Sequence, residues 1–158
     1  MQPPIAPHGK PMPPNFRRVY TGEGHGGLFV SGEPRSEHSE GIAEVGIKHV
    51  IDARRLDMTT RGAMQPNYFY LIRSDQQQEI NQAKEVADLL TKGENVLVHC
   101  GIGQGISPVS AYITLRHLGL SHEKAQTAIQ GAGGKLGDDF VVRTNSFGAY
   151  GKVLGHWK

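Results

Sequence analysis

Three apolar, β-favouring positions, Val96, Leu97 and Val98, run unbroken into His99 and Cys100. A run this short, with no polar alternation, reads as a strand buried on both faces. Gly101, Gly103 and Gly105 follow, and they predict a tight turn through conformations closed to residues that carry a Cβ. Ser107-Pro108 is a good first-turn pair for a helix. Val109, Ala111, Tyr112, Ile113, Leu115 and Leu118 make that helix apolar around most of its girth and therefore buried. Gly119 ends it. The pattern is strand, glycine turn, buried helix, and the rest of the chain is arranged around it.

Upstream, six prolines between positions 3 and 14 forbid helix and central strand, so 1–15 reads as an extended arm, either flexible or laid over the domain. Residues 17–20 and 28–32, separated by a glycine-rich turn, suggest an antiparallel hairpin. Residues 36–46 read as a short helix stopped by Gly46, and 47–53 as a strand. A polar connection leads to 67–73, a strand by its aromatic and β-branched content. Over 77–91, Ile80, Ala83, Val86, Ala87 and Leu90 recur at helical spacing, and Gly93 closes the element. Beyond the central motif, Ser121 is the expected cap of a helix carrying Ala125, Ala128 and Ile129 inward. Residues 131–137 form a glycine-rich loop. Asp138 is the expected cap of a last helix through Phe140, Val141, Phe147 and Tyr150, a reading weakened by Gly148, Gly151 and Gly155.

Strands separated by helices, then a helical tail, predict an α/β fold with a largely parallel central sheet flanked by helices. The expected organisation is the arm, 1–15, and a single domain, 16–158. At 158 residues the chain can bury a real core. The net charge of +2 is too small to argue for nucleic acid. No long apolar run predicts a membrane span or a secretory leader. One cysteine excludes an internal disulfide and fits a reducing, cytoplasmic setting. The scattered His8, His25, His38, His117, His122 and His156 read as surface residues, and the Cys-His pair lacks the spacing of a zinc site.

A strand that ends in a tight loop capping a helix turns several backbone N–H groups into one concavity, and the helix dipole adds positive potential there. Such a nest binds phosphate or another oxyanion, and a thiol at its rim becomes a thiolate nucleophile. In isolation, a lone cysteine is a small buried hydrophobe; the His-Cys-Gly-x-Gly context argues otherwise. The stretch resembles the signature of the protein tyrosine phosphatase superfamily: His-Cys, five residues, Arg, then Ser or Thr. His99, Cys100, Gly103 and Ser107 stand where that signature wants them, and Ile106 stands where it wants arginine. The order of helix, Gly-Ile, strand and Asp52-Ala53-Arg54-Arg55 is similar to the front half of dual-specificity phosphatases. The resemblance spans about 19–150, and the short chain with few insertions favours that shallow-pocket branch.

The resemblance implies a phosphatase fold and a set of roles. Cys100 is the nucleophile that forms a phosphocysteine. His99 holds the loop and keeps the thiolate anionic. Ser107 assists thiolate departure. The general acid belongs after the preceding strand, where Asp75 is the first choice; Asp57 is second, and Asp138 and Asp139 are distant candidates. Gly101, Ile102, Gly103, Gln104, Gly105 and Ile106 line the phosphate. No cofactor and no metal are implied. The implied partners are a phosphorylated protein or a small phosphomonoester, with neither nucleic acid nor membrane.

Ile106 qualifies all of this. Arginine offers a planar fork matched to two phosphate oxygens, and each charge-assisted hydrogen bond contributes about 1.5–3 kcal/mol. An arginine finger in phosphoryl transfer accounts for about 10³–10⁵ in rate. Isoleucine offers neither donor nor charge. Two functions follow: a slow or specialised cysteine phosphatase with a substitute cation, or a pseudophosphatase that binds phosphorylated partners without turnover. Arg54, Arg55 and Arg73 sit at strand ends expected near the loop, and Arg73, close to Asp75, is the favoured substitute.

Overall fold

Side chains alternate across the strands, and the alternation sorts them into two cores. The computed structural model describes residues 9–53, 68–70 and 76–157, with 68–70 and 76–78 described by their backbone. Strands β1 (Arg17–Tyr20), β2 (Leu28–Ser31), β3 (Ile47–Asp52), β4 (Tyr68–Tyr70) and β5 (Asn95–His99) form one sheet in the order β1-β2-β5-β3-β4. Only the β1–β2 hairpin is antiparallel; β2, β5, β3 and β4 run parallel. The largely parallel sheet and the hairpin agree with the sequence pattern.

Val96 and Val98 of β5, Leu28 and Val30 of β2, and Ile51 of β3 face the larger core. Four helices cover it: α2 (Gln76–Thr91), α3 (Ile106–His117), α4 (His122–Gly131) and α5 (Phe140–Val153). Leu97, Phe29 and Val50, one residue out of phase, face a smaller core closed by Ile42 of α1 (Ser39–Glu44), Phe16 and Met12. Phe16 stacks on Phe29 at 5.4 Å between ring centres. From Lys10, whose Nζ lies 3.2 Å from Glu40, through Met12 and Phe16 the arm is laid over the domain. β5 lies between β2 and β3 and is buried on both faces, as an uninterrupted apolar run requires.

Helix α3 is buried from Ser107 to Arg116, and several of its polar side chains bond within the helix. Thr114 Oγ1 donates to the Ser110 carbonyl, and Arg116 Nη1 donates to Tyr112 Oη at 3.0 Å. Ser121 caps α4 as expected, accepting from the Lys124 N–H at 3.2 Å.

Several expectations are corrected. The helix over 36–46 is split into a single 3-10 turn, Ser36–His38, and α1; the buried His38 ring sits at the junction and accepts the Arg35 N–H. Asp138 does not cap α5. The N-cap is Asp139, whose side chain makes no capping bond, and Phe140 N–H is instead taken by the Gly137 carbonyl at 3.2 Å. Glycines do not break α5, because two of them make room: a Cβ at Gly151 would collide with the Trp157 ring, and one at Gly148 would lie 2.7 Å from Tyr112 Oη. Trp157 Nε1 donates to the Gly148 carbonyl at 3.0 Å. The histidines read as surface residues are mostly engaged. His38 is buried, His25 is held 2.9 Å from Tyr20 Oη, His122 is 2.7 Å from Tyr112 Oη, and His117 meets the Ile80 carbonyl at 2.8 Å. Burial pushes His117 below its ordinary pKa, an effect that its bond to Ile80 opposes.

The entrance to β2 tests this packing. Gly26 donates to the Leu90 carbonyl at 2.8 Å, and a Cβ there would overlap the Glu94 backbone. Gly26→Ala is expected to lower stability by about 1–3 kcal/mol in urea denaturation. Gly131→Ala, in a helical position with open space around it, should be neutral or gain up to about 1 kcal/mol. Equal midpoints for the two variants would contradict the close approach at Gly26.

Candidate active site around Cys100

The loop after β5 is fixed before it curls. Cys100 N–H donates to the Ser31 carbonyl at 3.2 Å, and the Gly101 carbonyl accepts from Glu33 N–H at 3.0 Å. At Gly103 the backbone turns with φ +78°, and a Cβ would lie 2.6 Å from the Gly32 nitrogen, so glycine is required there for two reasons. Gly101 and Gly105 have neither constraint: both face open space and neither has positive φ. The expectation that all three need glycine holds for Gly103 alone.

The curl brings the amides of Ser107, Gly103 and Gly105 onto the Cys100 sulfur, and Ser107 Oγ lies 3.1 Å from Sγ. Cys100 is 4% exposed. Burial pushes the thiol upward, but the Ser107 hydroxyl and the three amides together outweigh it and hold it below its ordinary value of 9.0. The Ser107 hydroxyl has a second acceptor, the Ser31 carbonyl at 3.5 Å. With a thiol it can turn to that carbonyl; with a thiolate it must donate to sulfur.

The outward carbonyls of the loop are held as firmly as its amides. The Gln104 carbonyl accepts Gly137 N–H at 2.7 Å. That carbonyl shares a peptide with Gly105 N–H, so the bond polarises an amide that faces the sulfur. The Gly103 carbonyl accepts two donors, Asn15 Nδ2 at 3.1 Å and Arg17 Nη1 at 3.0 Å. The side-chain amide of Asn15, a residue at φ 57°, also pairs with Lys135, Nδ2 donating to the Lys135 carbonyl and Oδ1 accepting the Lys135 N–H, which ties the arm, the loop after β5 and the 131–137 loop together.

His99 ends β5, fully buried, level with Ser31 and Asp52 on the neighbouring strands. Ile106 opens α3 half-buried and packs against the larger core, so the position where the resemblance wants an arginine is occupied by an apolar anchor. Ile102 stands 63% exposed on the loop. Asp138 and Asp139 are exposed just after Gly137. Asp75, Asp57, Arg54, Arg55 and Arg73 lie outside the described residues.

Sequence reasoning missed Arg17. The pattern places it in the first hairpin strand with no role, yet it is 4% exposed beneath the loop. The signal was there: period two places Arg17 on the same inward face as Val19, with Arg18 outside. Burial lowers the Arg17 guanidinium to about 10, and the Cys100 thiolate works against that shift. Arg17 remains a cation at neutral pH.

This fold is that of the dual-specificity phosphatases. The chain superposes on human DUSP28 with a TM-score of 0.68 at 18% identity, covering 90% of this chain and 99% of that one. For P. aeruginosa TpbA the TM-score is 0.61 at 17% identity, over 90% and 94% of the two chains. The Cydia pomonella PTP-2 phosphatase gives 0.60 at 17% identity, over 84% and 89%. No family model and no curated relative matches the sequence. Among the described residues no cluster of His, Cys, Asp and Glu could hold a metal, and no helix is long and apolar enough to cross a membrane.

The donors around Sγ set the reactivity of Cys100. The pH profile of its alkylation by iodoacetamide should have a midpoint below 9.0. Ser107→Ala removes a donor that favours the anion, so its midpoint should move upward and its rate at neutral pH should fall. An unmoved midpoint would show that the hydroxyl does not stabilise the thiolate.

Proposed function

We propose that this protein is a cysteine-dependent phosphomonoester hydrolase of the dual-specificity type, slowed by the loss of the signature arginine at Ile106. The observation that carries the reading is the Cys100 sulfur, faced by the amides of Gly103, Gly105 and Ser107 and by the Ser107 hydroxyl. Amides disposed in this way can stabilise a thiolate and receive the equatorial oxygens of a phosphoryl group.

In the first step the thiolate attacks phosphorus. The S–P bond forms as the P–O bond to the leaving group breaks, and the leaving oxygen takes a proton from the general acid, for which Asp75 is the candidate. In the second step water attacks phosphorus, the same carboxylate takes its proton, and the S–P bond breaks to return the thiolate and inorganic phosphate. The Ser107 hydroxyl donates to the departing sulfur, a role supported by its 3.1 Å distance from Sγ. His99 is the residue that positions the loop, and Gly101 to Ile106 form the phosphate cup. Substrates are phosphorylated proteins or small phosphomonoesters. The exposed Ile102 favours esters with an apolar or aromatic leaving group over phosphosugars.

A second reading, binding without turnover, is favoured by the same isoleucine, which leaves position 106 without a fork for the transition state. Hydrolysis of an aryl phosphate separates the two. Wild type should turn over slowly, Cys100→Ser should fall to the buffer rate, and Ile106→Arg should gain about 10³–10⁵. Wild type at the buffer rate with a gain in Ile106→Arg selects the binding-only reading. Buffer rates for all three proteins would overturn the hydrolase.

A further inference from the structure

Arg17 is a buried cation that lacks a carboxylate partner among the described residues. Its hydrogen bonds come from Nη1 alone, to the Asn15 carbonyl at 2.7 Å and the Gly103 carbonyl at 3.0 Å. Nε and Nη2 are buried and have no hydrogen-bond partner among the described residues. A desolvated guanidinium is costly unless an opposite charge faces it. Its bond to the Gly103 carbonyl sets it under the loop that carries Cys100, and a negative charge on Cys100 opposes the lowering that burial imposes on it.

The 131–137 loop enforces this isolation. Gly134 has φ +74°, and a Cβ there would lie 2.8 Å from Arg17 Nε and 2.5 Å from Asn15 Oδ1. Only a glycine backbone can lie this close, and it seals the guanidinium from water. Asn15 fastens the loop from the other side through its pair of bonds with Lys135. The glycine-rich loop and the end of the arm, two features that the proposed chemistry leaves without a role, thus converge on one side chain.

We infer that Arg17 is the fixed cation of the Cys100 site, a positioning residue that holds the loop through the Gly103 carbonyl and supplies counter-charge to the thiolate and to a bound oxyanion from beneath. Across the trans peptide the Gln104 N–H points opposite to the Gly103 carbonyl, away from Arg17. A charge-assisted bond to that carbonyl therefore strengthens the Gln104 N–H as a donor. Because the fork lies under the loop rather than beside the phosphate, Arg17 supports anion binding and thiolate formation without gripping equatorial oxygens as an arginine at position 106 would. Among the described residues, the titratable groups around it are His99 of β5 and Asp52 of β3, Glu33 after β2, whose N–H meets the Gly101 carbonyl, and Lys135 in the loop that covers Arg17. This inference rests on the proposed reading of the cup and adds the source of its charge.

The test follows Cys100 alkylation against pH, and its protection by inorganic phosphate, in wild type, Arg17→Met, Arg17→Lys and Arg18→Met. Arg18 is exposed on the same strand and controls for the change in net charge. Arg17→Met should raise the thiol midpoint by about one unit, a tenfold loss of thiolate at low pH, and should weaken phosphate protection about tenfold. Arg17→Lys should keep most of the depressed midpoint, and Arg18→Met should match wild type. Arg17→Met profiles that coincide with Arg18→Met would overturn the inference. If circular dichroism shows Arg17→Met unfolded, Arg17→Lys decides alone: a midpoint held near that of wild type supports the role, and one raised by a full unit ends it. An ordinary midpoint and no phosphate protection in wild type would instead remove the cup reading itself, and this inference with it.

Discussion

The site depends on one contest between burial and hydrogen bonding at the Cys100 sulfur. Burial alone would keep the thiol protonated and inert. The amides of Ser107, Gly103 and Gly105 and the Ser107 hydroxyl outweigh burial and hold the thiol below its ordinary pKa. None of these donors could face the sulfur unless the loop turned back on itself, and the turn is possible only where Gly103 adopts positive φ against the Gly32 backbone. The lowered pKa of Cys100 is therefore a consequence of backbone geometry, and the geometry in turn is held by bonds on the outer side of the loop.

Those outer bonds explain why the fold is built as it is. β5 delivers Cys100 from the centre of the sheet, where two neighbouring strands fix its height. The buried helix α3 receives the other end of the loop. Ile106, packed into the core, anchors that helix start with apolar contact instead of charge. Asn15, Arg17 and Gly137 then clamp the carbonyls of Gly103 and Gln104. A loop held in this way loses little entropy on binding an anion, which is the physical meaning of preorganisation.

Much of this was legible in the chain. The uninterrupted Val96-Leu97-Val98 run announced a doubly buried strand, and Ser107-Pro108 announced the helix, because each signal is local. The hairpin and the parallel sheet followed from strand patterning and connection lengths. What could not be read locally was contact between distant segments. Gly148 and Gly151 looked like helix breakers, yet Tyr112 and Trp157 approach them so closely that only glycine fits. Asp138 looked like a cap, but a backbone turn from Gly137 satisfies the helix entrance. Arg17 reads from the sequence only as part of the first hairpin strand, although its alternation with Arg18 already places it inside. The sequence points to Arg73 as the substitute cation, which the described residues do not include, and the buried arginine stands on β1.

The most direct measurement is a crystal structure grown with tungstate, a tetrahedral oxyanion that the thiolate cannot cleave. The account predicts the oxyanion in the cup, its oxygens on the loop amides, its central atom facing Cys100 Sγ, and Arg17 unmoved beneath Gly103. An empty cup at saturating tungstate, or a loop that uncurls to turn Sγ away from the amides, would contradict it.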